Sequence, residues 1–242
     1  MLTMSTPEGY PRVMPTPSRP AKKRAYHHGD LERALVETAV QTIGDEGVQA
    51  LTLRSVGARV GVSRTALYRH FDDKAALLAR VAEEGFRRLH AALTGSLAEA
   101  STSGADPLPA MADAYVRFAR ANPSHYQTMF GGVLTDWSRY PGLIQHADAA
   151  FAVLVDTIRD EQRKGRILAA DPIELAEISW SMSHGIATLG MARHLERTPT
   201  TIEELAVLGS QYLQAGLRGK RGPQPGAAAR KRRSTSSRGR HR

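Results

Sequence analysis

Apolar residues recur every three to four positions along most of the chain, between short polar breaks, and no apolar-polar alternation is long enough to predict a strand. Leu53, Val56 and Val60 mark one face of a short helix, Gly61 interrupts the period, and Val62, Leu67 and Phe71 resume it. Residues 52–74, TLRSVGARVGVSRTALYRHFDDK, therefore predict a helix, a tight turn and a second short helix sharing one small core. Gly57 removes a side chain where the two helices would cross, and Gly61 can take positive φ at the turn. Thr52 and Ser63 are suited to cap the first and second helix. The second helix leaves Arg64, Thr65, Tyr68 and Arg69 for solvent, a face suited to phosphates and base edges.

The same periodicity predicts helices on both sides. Asp30 caps a helix over 31–46 with Ala34, Leu35, Thr38, Ala39 and Ile43 on one face, ended by Gly47. Asp72 caps a long helix reaching about Leu93, with Leu77, Leu78, Val81, Phe86 and Leu89 inward. Next come a helix over 106–121 stopped by Asn122 and Pro123, a short helix ending at Gly131 and Gly132, and a long one over 141–164. In the first of these, Met111, Tyr115 and Phe118 share a face. In the last, Leu143, Ala147, Phe151, Leu154, Val155 and Ile158 face inward. Asp171, Pro172 and Glu174 start a helix running to about Leu195, and Thr201 with Glu204 forms a capping box for a last helix to about Leu217. Helices of this length on short loops predict an all-α bundle.

Composition adds limits. The chain has 242 residues, 41% hydrophobic and 24% charged, enough for one large or two small soluble domains. With no Cys it has no disulfide, thiolate metal site or thiol redox sensor. The formal net charge of +9 belongs to the ends: residues 219–242 hold nine Lys or Arg and no acid, whereas residues 30–218 are net acidic. No 18-residue apolar run occurs and the Pro-rich start lacks an apolar segment, so no membrane partner and a cytoplasmic location are expected. Residues 1–25, with five prolines, read as an unstructured arm. By analogy with known DNA-binding arms, Lys22, Lys23, Arg24, Tyr26, His27 and His28 are candidate contacts to the phosphate backbone or minor groove. The basic tail at 230–242, RKRRSTSSRGRHR, suits transient, sequence-independent attraction to DNA.

The stretch from Leu51 to Leu78, LTLRSVGARVGVSRTALYRHFDDKAALL, resembles the amino-terminal domain of the TetR family of transcriptional regulators. GVS at 61–63, LYRHF at 67–71 and Lys74 fall at the family's spacing. YHHGDL from Tyr26 resembles a branch whose carboxy-terminal domain carries Trp-x-x-x-His-Gly, and Trp180, His184 and Gly185 stand here in WSMSHG. The resemblance covers residues 26 to about 217. It implies an all-α chain with an arm at 1–28, a three-helix helix-turn-helix DNA-binding domain at 29–92, a helical ligand-binding and dimerisation domain at 93–217, and a tail at 218–242.

On the motif match, Arg64 and Thr65 are the base readers, an Arg paired to guanine being worth about 1 to 3 kcal/mol of discrimination. Thr52, Arg54, Ser63, Tyr68, His70 and Lys74 are expected phosphate contacts beside Arg69, with Tyr68 and His70 alternatively packing residues. The resemblance further implies a homodimer joined through the last two helices, a palindromic double-stranded DNA operator, and release by an unidentified small-molecule effector, with no cofactor. Candidate pocket residues are Tyr115, Phe118, Tyr126, Met129, Phe130, Trp137, Trp180 and His184, which by default are core. Asn122, His125 and His184 are either polar ligand contacts or satisfied interior groups.

Enzymatic patterns are absent from the sequence. It has no Gly-rich phosphate loop after a strand, no HExxH and no carboxylate and histidine ligand set. Ser181, Ser183 and His184 lack a third orienting group. No catalytic residue and no metal site are expected. Two rivals remain open at this level. A ligand-independent architectural DNA binder predicts similar affinity for any duplex, and a helical enzyme or small-molecule carrier with a vestigial motif predicts no operator.

Overall fold

The computed structural model describes residues 28–218. Among them are nine α-helices and one 3-10 turn, and no strand. In chain order they are α1 (His28–Glu46), α2 (Leu53–Val60), α3 (Arg64–Tyr68), α4 (Lys74–Ser103), α5 (Pro107–Ala121), α6 (Pro123–Phe130), the 3-10 turn Trp137–Arg139, α7 (Pro141–Arg163), α8 (Pro172–Met191) and α9 (Ile202–Leu217). The arm residues Lys22, Lys23, Arg24, Tyr26 and His27 and the tail 219–242 lie outside the described residues. His28, assigned above to the arm, is instead the first residue of α1.

The first three helices close a small core in which Leu35, Ala39 and Ile43 of α1 meet Leu53 and Val56 of α2, Leu67 of α3 and Phe71. Because α1 starts at His28, Asp30 lies inside its first turn and does not cap it; there the carboxylate suits the helix dipole and sits 3.6 Å from Arg33. On the buried face Thr42 replaces Ala34 and Thr38, which are half-buried. Thr42 Oγ1 donates to the Thr38 carbonyl and accepts from Arg59 of α2, which also pairs with Glu46, so one arginine ties α2 to α1.

The turn is built as the local chemistry dictates. Thr52 Oγ1 accepts from Ser55 N at 3.0 Å and Ser55 Oγ accepts from Thr52 N at 3.2 Å, a reciprocal cap at the start of α2. Gly61 ends α2 at φ 76°, and Ser63 Oγ accepts from Ala66 N at 3.2 Å to start α3. A Cβ on Gly57 would sit 3.1 Å from Leu67 Cδ2, so α2 and α3 cross where α2 lacks a side chain.

Three further helix limits differ from expectation. The cap of α4 is Asp73, not Asp72: its Oδ1 accepts from Ala76 N at 2.7 Å, the third helical position, and Asp72 stands one residue too early. The helix then runs 30 residues, ten past Leu93, to a left-handed Gly104. Residues 94–103 are mostly small or polar, but Leu97 and Ala100 continue the apolar stripe of Leu93 and α4 packs along α5, so tertiary contact overrides weak local propensity. The boundary expected at 92/93 thus falls inside one unbroken helix. Lastly, α8 stops at Met191 and not near Leu195, because Ala192 N and His194 N turn back to Thr188 O and Leu189 O while Arg193 takes φ 61°.

The remaining helices are arranged around α4, which packs on α5, α6 and α7; α8 and α9 pack on α5 and on each other, and α6 also reaches back to α1. A satellite core of Leu108, Val155, Ile158, Ile167, Leu175 and Ala176 closes the α7–α8 connection. No helix among the described residues is long and apolar enough to cross a membrane.

Candidate nucleic-acid interface and cavity

The turn between α2 and α3 sets out the predicted donor face. Thr52, Arg54, Ser63, Arg64, Thr65, Tyr68 and Arg69 are exposed, and His70 and Lys74 are half-buried. Arg64 lies over the Tyr68 ring, 5.4 Å from its centroid, which steadies a long side chain without neutralising it. Neither Arg54, Arg64 nor Arg69 has an ion-pair partner among the described residues, in contrast to Arg59, which is engaged by α1. Some expected contacts have a structural duty. The Thr52 and Ser63 oxygens are helix caps. The Lys74 ammonium donates to the Val48 carbonyl at 2.8 Å, which fastens the start of α4 to the α1–α2 loop.

Among α4, α5, α6, α7 and α8 lies a cavity of about 570 Å³. Five of the eight predicted pocket residues line it: Tyr115, Met129, Phe130, Trp137 and Trp180. Phe118, Tyr126 and His184 do not. Phe118 is buried on the side of α5 that borders a shallow groove against α4. Tyr126 and His184 belong to a hydrogen-bonded cluster behind the cavity wall.

In that cluster the Trp180 indole N–H donates to Tyr115 Oη at 3.2 Å, and the Tyr115 and Tyr126 hydroxyls lie 2.9 and 2.8 Å from His184 Nδ1. One ring nitrogen offers one lone pair, so both phenols cannot donate to it at once. Tyr126 Oη also lies 3.2 Å from Thr188 Oγ1, which gives one hydroxyl a partner when the other holds Nδ1. Burial lowers the pKa of His184 and raises those of both phenols, so the cluster is neutral at pH 7. Trp180 and His184, one turn apart, thus fasten α8 to α5 and α6.

The other predicted polar contacts also lie elsewhere. Asn122 Nδ2 donates to the Phe118 carbonyl at the end of α5. His125 is buried on α6 with no hydrogen-bond partner for Nε2, and its pKa is pushed down to about 4, first by burial and then by Arg88. Sequence reasoning missed the cavity's own polar groups, Thr128, Ser179, Ser183, Ser210, Asp148 and Glu177. The two acids carried no signal, since exposed carboxylates on amphipathic helices look like any solvated face. No group of three or more His, Asp or Glu among the described residues could hold a metal ion.

Comparison with known proteins agrees with this geometry. Residues 35–81 match the family model for bacterial regulatory proteins of the tetR family, and residues 108–209 match that for the tetracyclin repressor-like C-terminal domain. The chain is 28% identical over 99 residues to the uncharacterized HTH-type transcriptional regulator YobS of Bacillus subtilis (strain 168), a match covering 41% of this chain and 51% of the relative. It is 44% identical over 50 residues to the class C tetracycline repressor protein of Escherichia coli, covering 21% of this chain and 23% of that one. The chain therefore spans about half the length of the first relative and about a quarter of the second. A solved structure of a protein with unknown function from Rhodococcus sp. RHA1 superimposes with TM-score 0.71 and 32% identity, over 81% of this chain and 100% of that one. An exposed helix-turn-helix built from α2 and α3, followed by a helical body around a cavity, matches both family models in chain order, and the chain belongs to the TetR family of bacterial regulatory proteins.

Proposed function

We propose that the chain is a cytoplasmic repressor that binds a roughly palindromic operator as a homodimer and leaves DNA when a small molecule fills the cavity. The observation that carries this reading is the continuity of α4. Its first turn is fastened to the α1–α2 loop by Lys74, and Phe86, Leu89 and Leu93 further along it line the cavity. Occupancy of the cavity and placement of the reader therefore involve one rigid element. Arg64 and Thr65 are the proposed base readers, and Thr52, Arg54, Ser63, Tyr68, Arg69, His70 and Lys74 the proposed phosphate contacts.

A five-residue α3 reads few base pairs, so two copies related by two-fold symmetry supply the rest. Ile178 and Leu189 on α8 and Leu208 and Tyr212 on α9 are exposed, Tyr212 by 70%, and form the proposed dimer face. The ligand acts only through its different affinity for the DNA-competent and DNA-incompetent states. Selection of bound sequences from random duplexes, at a stated salt concentration, should recover one inverted repeat with the full chain and none with Arg64→Ala. Absence of enrichment would refute the reading in favour of an architectural binder or a carrier.

A further inference from the structure

Six aromatic rings border the cavity, those of Phe86, Tyr115, Phe130, Trp137, Phe151 and Trp180, and three methionine side chains, of Met111, Met129 and Met182, line it together with leucines and alanines. Among the described residues the only acidic or basic side chains lining the cavity are Asp148 and Glu177, with no Lys, Arg or His. Both carboxylates are exposed, and neither has an ion-pair partner among the described residues.

Their positions follow from helix phase. Asp148 stands one turn before Phe151 on α7 and Glu177 one turn before Trp180 on α8. The Phe151 and Trp180 rings meet edge to face, centroids 6.1 Å apart, while Val155 and Ile158 of α7 share a cluster with Leu175 and Ala176 of α8. Contacts that advance along α7 as they retreat along α8 require antiparallel helices. The two carboxylates therefore lie on opposite sides of this ring pair.

We propose that the cavity takes an organic monocation with an apolar body, such as a quaternary ammonium, a phosphonium or a protonated amine on an aromatic or alkyl frame. This rests on the ligand-release reading above and names its ligand class. The rings and thioethers accommodate the apolar body, the ring faces attract its positive charge, and the rim carboxylates neutralise that charge without being buried. An anion of the same shape gains none of this. The Trp180 indole N–H is taken by Tyr115, and the rim carboxylates repel an anion.

The only two tryptophans of the chain, Trp137 and Trp180, both line the cavity, so intrinsic fluorescence reports its occupancy. The full-length protein should be titrated with tetraphenylphosphonium and with its isosteric anion, tetraphenylborate. The phosphonium should quench saturably with a Kd at least about tenfold lower than that of the borate, a preference that shrinks at high salt. The double variant Asp148→Asn, Glu177→Gln should bring the ratio near one, and each single variant should lower it about threefold. Glu99→Gln, at an exposed acid on α4 outside the cavity, should leave the ratio unchanged. Equal binding of the two ions, or a preference that survives the double variant, overturns the cation assignment while leaving a ligand cavity in place. Failure of both ions to quench saturably overturns the cavity as a ligand site as well.

Discussion

Replacing His125 by leucine should reduce the acid sensitivity of the fold by an amount set by the burial of its imidazole. His125 is 3% exposed, packs against α4 at Gly85 and leaves Nε2 without a partner. Charged groups border the same groove from two helices: Arg80, Glu84, Arg87 and Arg88 on α4, and Glu32, Arg33 and Glu37 on α1. Burial and then Arg88 push the pKa of His125 down to about 4, with Glu84 opposing them. In the unfolded chain the group titrates near 6.5.

The unfolded state therefore binds the proton more tightly, and stability is lost as pH falls from about 6.5 towards 4. Between pH 7.5 and pH 5 this group alone should remove about 2 kcal/mol. Leucine is of similar size and does not titrate, so His125→Leu should keep that 2 kcal/mol at pH 5. At pH 7.5 the variant should be no less stable than the parent, because a partnerless buried nitrogen has gone. Urea unfolding of both proteins at the two pH values, at one protein concentration, measures the difference. The other histidines cancel between parent and variant. Equal pH dependence within about 0.5 kcal/mol would refute the assignment of a buried neutral imidazole.

Three further outcomes test the reader. Ser63→Ala should cost about 1 kcal/mol of stability through the lost cap of α3. Ser63→Asp should keep the cap yet weaken DNA binding by placing a carboxylate beside the proposed phosphate path, so calorimetry and binding titrations should diverge. Gly57→Val should destabilise by about 1 to 3 kcal/mol, because its methyl groups enter the space held by Leu67, and thermal melts against Gly57→Ala isolate the steric part. Deleting residues 219–242, which hold nine Lys or Arg, should flatten the salt dependence of DNA binding and leave sequence preference intact, and an unchanged slope of log affinity against log salt would exclude a role for the tail.

What was legible in the sequence is what forms within one turn of helix. Thr52, Ser63, Thr201 and Gly61 act on neighbours a few residues away, and the structure uses each as the local chemistry demands, while Gly57 makes room for Leu67 on the next helix. The length of α4 was not legible, because residues 94–103 have weak periodicity and are held by α5. Asp72 and Asp73 are equivalent caps until the start of the helix picks one. In the cavity, composition identified the aromatic set but not its division. Whether Tyr126 faces the void or His184 depends on how α6 meets α8, 58 residues away in sequence. Asp148 and Glu177 become distinctive only through the absence of any basic residue beside them in the cavity lining.

The packing of α6 indicates how a filled cavity would reach the DNA-binding helices. Met129 and Phe130 line the cavity, and His125, one turn back on the same eight-residue helix, lies in the groove beneath α1. Against α6, α4 presents Gly85, where even a Cβ would come within 2.5 Å of Met129 Sδ and 3.1 Å of His125 Cβ. Under the ligand-release proposal, a ligand that displaces Met129 outward bears on α4 at this contact. The ion pairs across the same region are of another kind. Arg80 with Glu32 of α1, and Arg139 with Asp73, are about half exposed, and such pairs contribute little to stability. Under the same proposal, close packing at Gly85 beside exposed ion pairs that contribute little is the arrangement through which a ligand would act on α1 to α3. The coupling required is typically about 1 to 3 kcal/mol, within reach of a ligand that fits one arrangement of Met129 and Phe130 better than the other.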